Sequence, residues 1–487
     1  MAQNLKFIIT EIKKAKKGNK NKNTKELNTL IKYLKEISET IDKYDEILFF
    51  IQLKGRNYVS YEKEFSVFLK KIETNSKYCP IFTYPEIEKI DIKNIDTVIL
   101  KLGAIKERVK KESICKDVYK IISEFLEIAE AKANFLKELK LKNFKKAFEF
   151  SKVIYGDVDK ELCDKANKAY KEKLKFLKSR LGKSKLEKKL EKTNFNAIKV
   201  KKYFELALEK NELKNNYKIL IDDKINSVKI NEKDPEYNCS VISIPSTIEV
   251  NGIRLMQLIA HEIGKHATTN YHHKKQGLVI EIGRNWNVYN EGLAKKNEND
   301  IKKIMLGNLY MDSEMDFSMY YVLAIEKIKK GWNFNKVYKY IYNKCYKENL
   351  YDCGYYNKKN SGRKRAMKKD CEKKSIDTSK KICMRVFRGF DPKKGGMYFP
   401  KDRIYFEGAI MVQELKKIKS REKLEKYLYL SRVEAKYVPV LIKIGAYSYN
   451  KNFSKMKEIA ERLWADKKFR ENILNGKSAK DIKFIKI

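Results

Sequence analysis

The chain has 487 residues, 43% hydrophobic and 12% aromatic, so it is long enough for a large core and too apolar for a disordered polymer. It carries 108 Lys+Arg against 64 Asp+Glu, a formal charge of +44 that draws it towards polyanions and acidic peptides at low salt. The cations are spread over the whole length, and Lys, Asn, Ile and Tyr are over-used together, as AT-rich codons would produce. The charge alone therefore does not make this a nucleic-acid-binding protein.

No apolar run reaches the roughly 20 residues that cross a bilayer. The N-terminal apolar stretch is too short for a secretory signal, and the eight cysteines form no C-x-x-C pair. The expectation is a cytoplasmic protein with reduced, buried thiols and no membrane partner.

In chain order, residues 1–34 read as a basic N-terminal tail, centred on the aperiodic stretch from Lys13 to Lys25. Residues 35–213 are predicted to be helical, with apolar residues three and four apart and charge between them. At Tyr217 the texture changes to short β-type runs, YKILIDD, NSVKINEK and NCSVISIPS, which predict a small sheet. Helical periodicity returns in NGIRLMQLIAHEIGKHATTN and in NEGLAKKNEND. A second basic stretch at about 354–381 reads as a loop insertion or a fluctuating helix within the last part, 214–487. The fold class is α+β, predominantly helical.

All four histidines, His261, His266, His272 and His273, fall within thirteen consecutive positions. Imidazole is the commonest neutral nitrogen ligand for zinc, so this clustering has a chemical use. In LMQLIAHEIGKH the apolar positions bury the helix, and buried His, Glu and His need partners or a metal. The spacing is H-E-x-x-x-H rather than the more familiar H-E-x-x-H. On a regular α-helix five residues turn through about 500°, leaving the two rings roughly 140° apart. Both reach one ion only if the turn widens, which predicts a π-like turn at residues 262–266 beside Gly264. For the third ligand the two-His-one-Glu pattern favours Glu291 in N-E-G-L-A. His272 and His273 compete with it, their other reading being an exposed loop flanked by Lys274 and Lys275.

H-E-I-G-K-H followed by N-E-G-L-A resembles the QEGLA-motif proteins, a group that includes the microtubule-associated tyrosine carboxypeptidases. IFTYPEI near residue 81, VIYGDVDKELCDKA from Val153 and MRVFRGFDPKKGGMYFPKDRIYFEG from Met384 are similar to further segments of that family, in the same order. The chain departs from the family pattern at Lys265, at His272–His273 and at Asn290. The resemblance implies a zincin-like core, with Zn2+ on His261, His266 and Glu291 and with Glu262 as general base. It also implies a carboxypeptidase that removes one residue, tyrosine-like, from a peptide or protein C-terminal tail. An acidic tail would suit the charge.

In the block from Met384, Arg385, Arg388 and Lys401 are the candidate anchors for a substrate carboxylate, since Arg grips a carboxylate bidentately. Tyr405 is the candidate oxyanion donor. The strand NCSVISIPS is expected to line the cleft, by analogy with zinc peptidases of this design. Two other readings stand beside this one: an endo- or aminopeptidase using the same zinc, and a non-catalytic binder of nucleic acid or other polyanions.

Overall fold

Apolar residues at helical spacing turn most of the chain into helices, and among the described residues the five strands lie within 195–250. The computed structural model describes residues 2–18, 24–53, 58–72, 74–75, 78–82, 84–179, 184–225, 227–231, 239–276, 281–307, 318–357, 361–447, 456 and 458–477. β1 (Phe195–Asn196) pairs antiparallel with β5 (Glu249–Val250). β2 (Tyr217–Asp222), β3 (Lys229–Asn231) and β4 (Ser240–Pro245) form a sheet in the order β2-β4-β3. β4 lies parallel to β2, with Tyr217 opposite Ser240, and antiparallel to β3, with Ile230 opposite Ile242. Every residue of β4 is buried, as suits a central strand covered on both faces.

The core does not divide at residue 213. Each of the four buried apolar clusters among the described residues takes side chains from both sides of it. The cluster under the site joins Phe204 and Leu208 to Ile242, Ile259, Ile263 and Leu463.

One sequence expectation is corrected and another is decided between its alternatives. Residues 1–34 are not a tail, because Ala2–Gly18 is a helix whose Leu5, Ile8, Ile9 and Ile12 are buried with Val438 and Leu441. Its lysines are the solvated face of an amphipathic helix, and the i, i+3, i+4, i+7 stripe supplies the packing. Part of the expected linker, residues 19–23, lies outside the described residues. Of the two readings of 354–381, loop or helix, the helix is found: Ser361–Val386 is one helix lying antiparallel against the helix Phe334–Asp352. Its inner face is Cys371, Ser375, Ser379, Ile382, Cys383 and Val386, so small polar residues stand where aliphatic ones would have announced a buried stripe.

No helix of the described residues is long and apolar enough to cross a membrane.

Candidate metal centre

A single helical path runs from Gly252 to Lys275. It starts as α-helix, with Asn251 Oδ1 accepting from Arg254 N at 2.9 Å, an N-cap that satisfies one of the first free amides. From Ile259 to Ala267 it widens into a π-helix, and Thr268–Lys275 resumes the α form. The predicted widening is present and extends beyond 262–266 on both sides. Thr268 Oγ1 donates to Ile263 O, five residues back, at 2.9 Å.

Neighbouring elements hold the widened turn. Asn297 Nδ2 donates to Ala260 O at 3.3 Å, and Tyr217 Oη, from β2, donates to Ala267 O at 2.7 Å. A buried carbonyl left without such a partner would cost about 1–3 kcal/mol.

The π-turn brings the two imidazoles together. His261 Nε2 and His266 Nε2 lie 3.0 Å apart, and each is 3.6 Å from a carboxylate oxygen of Glu291. The candidate ligand atoms of all three residues lie within 4.8 Å of one another. Two atoms bound 2.0–2.1 Å from one tetrahedral zinc sit roughly 3.3 Å apart, a value that the observed separations bracket. Two imidazole nitrogens and one carboxylate are also the donor types of a catalytic zinc site. The set fits such an ion.

Glu291 is carried by the helix Trp286–Leu306, which crosses the helix Arg403–Lys416 at two glycines. A Cβ on Gly292 would lie 2.6 Å from Gly408 O, and one on Gly408 would lie 2.5 Å from Val288 O. The glycine of N-E-G-L-A is therefore required by backbone-to-backbone approach, which sets Glu291 beside the helix that bears Tyr405.

Sequence reasoning missed Glu298, seven residues after Glu291 and on the same helix face. Its Oε1 lies 2.7 Å from His261 Nδ1, and its side chain is 1% exposed. Burial opposes its ionisation, but Lys295 at 2.8 Å and Arg254 at 3.2 Å hold it well below the usual carboxylate range. At that separation an ionised Glu298 favours the His261 tautomer that carries its proton on Nδ1. The signal in the sequence was a second acid at helical register with Glu291.

His266 is supported differently. Its Nδ1 lies 3.0 Å from the Asn290 amide, whose Oδ1 accepts from Lys265 Nζ at 2.8 Å. Lys265 is fully buried, and its Nζ also donates to Thr269 Oγ1 at 2.6 Å and Leu428 O at 3.2 Å. Burial pushes its ammonium down to about 7. Lys265 and Asn290, two of the departures from the family pattern, thus touch each other directly beside a candidate ligand.

Glu262 faces the same cavity but is not in the ligand set. Burial pushes its carboxyl up to about 7, against the pull of His261 and with the help of Glu291.

His272 and His273 do not belong to this centre. They lie in the helix Thr268–Lys275 and are each 1% exposed, which corrects the expected exposed loop. His272 packs against the Tyr271 ring, 5.3 Å between centroids, and burial pushes it down to about 4. His273 Nδ1 accepts from Arg432 N at 3.4 Å.

The cavity over the centre has a volume of about 660 Å³. Arg385, Lys401 and Tyr405 line it, and Arg388 does not. Arg388 is 9% exposed, stacks over Phe399 and lies 3.9 Å from Asp402, so it backs Asp402 rather than the cavity. Asp402 accepts from Arg385 Nη1 at 2.9 Å, and the same nitrogen donates to Tyr321 Oη at 3.1 Å. The Lys401 ammonium is pushed down to about 8 by burial, against the attraction of Asp402. Burial, with a contribution from Glu291, keeps the Tyr405 hydroxyl well above its ordinary value, hence protonated at neutral pH.

The strand expected to line the cleft is also corrected. β4 is paired on both sides, and residues Ser227 to Asn231, including the edge strand β3, line the cavity instead.

The family model described as microtubule-associated tyrosine carboxypeptidase matches residues 67–351, more than half of the chain. The match includes His261, Glu262, His266, Glu291 and Glu298, and it ends before Arg385, Lys401 and Tyr405, which the fold returns to the same cavity. Among curated proteins, no individual relative matches the chain.

Proposed function

Because the chain belongs to the microtubule-associated tyrosine carboxypeptidase family, we propose that it is a zinc-dependent carboxypeptidase that releases a C-terminal residue, tyrosine or one like it, from a protein tail. The observation that carries this reading is the π-turn, which gathers His261, His266 and Glu291 around one point and leaves Glu262 facing the cavity. We take the sheet and this helix together as a zincin-like core.

His261, His266 and Glu291 would hold the zinc, with Glu298 orienting His261. If His266 Nε2 holds the zinc, Nδ1 would carry the proton, and a half-turn of the Asn290 amide would present Oδ1 to it. Lys265 then keeps Thr269 and Leu428 as acceptors. When bound, the ion supplies a water of lowered pKa and polarises the scissile carbonyl.

Glu262 takes the proton of the attacking water and delivers it to the leaving amine. The protonated Tyr405 hydroxyl donates to the oxygen on which negative charge develops. Arg385 and Lys401 hold the terminal carboxylate of the substrate, Arg385 being fixed in orientation by Asp402 and Tyr321. Further cations around the cavity, among them Arg254, Lys295 and Lys381, would favour an acidic tail. The edge strand β3 offers backbone groups to an extended substrate.

The test is mass spectrometry of a peptide ending in tyrosine, offered as the free acid and as the C-terminal amide. The expected result is loss of one residue from the free acid only, with Glu262→Gln slower by about 10²–10⁴-fold. Internal or N-terminal cleavage would move the protein to another peptidase class. Zinc-independent, salt-sensitive binding of nucleic acid without cleavage would favour the polyanion-binding reading.

A further inference from the structure

The hairpin of helices Phe334–Asp352 and Ser361–Val386 brings together two thiols that the proposed chemistry does not use. Its register is fixed by side-chain pairs one helical turn apart. Asn349 Nδ2 donates to Ser375 Oγ at 2.9 Å, and the next pair towards the hairpin tip is Cys353 with Cys371, their sulfurs 3.3 Å apart. Ser375 and Ser379 are fully buried and donate to the carbonyls of Cys371 and Ser375, at 2.6 and 2.7 Å. Ser375 and Ser379 donate within their own helix, Ser375 also accepts Asn349 across the seam, and the two helices approach closely enough for the sulfurs to lie 3.3 Å apart.

The two thiols differ in access. Cys371 is 2% exposed and its thiol points at the Cys353 sulfur. Cys353 stands at the C-terminus of the first helix, half-buried and reachable from solvent. An accessible thiol beside a buried one is the arrangement in which the first meets an oxidant and the second resolves it.

We propose that Cys353 and Cys371 are a redox-active pair that closes into an intrachain disulfide and staples the tip of the hairpin. With glutathione disulfide as oxidant, the Cys353 thiolate attacks one of its sulfurs, forms a mixed disulfide and expels one glutathione thiolate. Cys371, once deprotonated, attacks the Cys353 sulfur, forms the protein disulfide and expels the second glutathione thiolate. The two protons lost by the cysteines are taken up by the two glutathiones, so one disulfide is reduced as one is made. Burial, together with Cys353, pushes the Cys371 thiol of the reduced pair up to about 12, so it is not the thiol that meets the oxidant first. Because the sulfurs already touch, closure leaves the hairpin register unchanged, and with it Arg385 on the same helix.

The experiment incubates the full chain in glutathione buffers of increasing disulfide fraction, traps free thiols, and reads intact mass and peptide map. The expected result is a loss of about 2 Da, for the two hydrogens removed, with a peptide linking Cys353 to Cys371. It should also bring a higher midpoint of thermal unfolding. Cys353→Ser and Cys371→Ser should each abolish the mass loss, while Cys345→Ser, elsewhere on the hairpin, should keep it. Circular dichroism identifies any variant that has failed to fold. Full alkylation of both thiols in the folded wild type under the most oxidising buffer would overturn the proposal, as would a glutathione adduct on Cys353 that never resolves.

Discussion

The two histidine pairs sit a few residues apart on one helical path, the first half-buried at the cavity and the second buried, yet only the first is gathered with a carboxylate. His261 and His266 are five apart on a π-turn, so their rings meet at 4.7 Å and share Glu291. His272 and His273 are adjacent on regular α-helix, about 100° apart, and find separate neighbours in Tyr271 and Arg432. Helical pitch, not the number of imidazoles, decides which histidines can act together.

The largest effect that could break this comparison is on turnover. His261→Ala should remove peptidase activity altogether, whereas His273→Ala should leave kcat within a few-fold and cost roughly 1–2 kcal/mol of stability, as loss of a buried bonded group does. Side-by-side activity and thermal unfolding measurements check both. Equal loss of activity in the two variants would mean that the second pair also takes part.

Next comes the support behind His261. Glu298→Gln should weaken metal affinity by about 10–100-fold, as changes behind a ligand do, in a competition titration with a zinc chelator. Unchanged affinity would reduce Glu298 to a packing role. Smaller still, Gly292→Ala should destabilise the fold by about 1–3 kcal/mol through overpacking against Gly408. A melting temperature equal to wild type would show that the two helices have room to part.

How much of this was legible in the sequence follows from the same physics. The gathering of His261, His266 and Glu291 was readable because polar residues inside an apolar helix have few other uses, and because a spacing of five demands a widened turn. The burial of His272 and His273 was not, since the lysines that follow them suggest a loop while the helix continues to Lys275. Glu298 was hidden because an acid within KKNEND looks like solvated charge until Arg254 and Lys295 are seen to surround it. The N-terminal helix could have been found from L-x-x-I-I-x-x-I, but the lysines outweighed it. The helix Ser361–Val386 could not be found by apolar period, because its buried face is largely cysteine and serine. Local pattern thus identified the three clustered side chains, and long-range packing supplied their neighbours.

The most direct test of the central claim is zinc content by plasma mass spectrometry on the full chain, wild type beside His266→Ala, both purified with zinc present. The account predicts about one zinc per wild-type chain and its loss in the variant. Equal, near-zero zinc in both would contradict it.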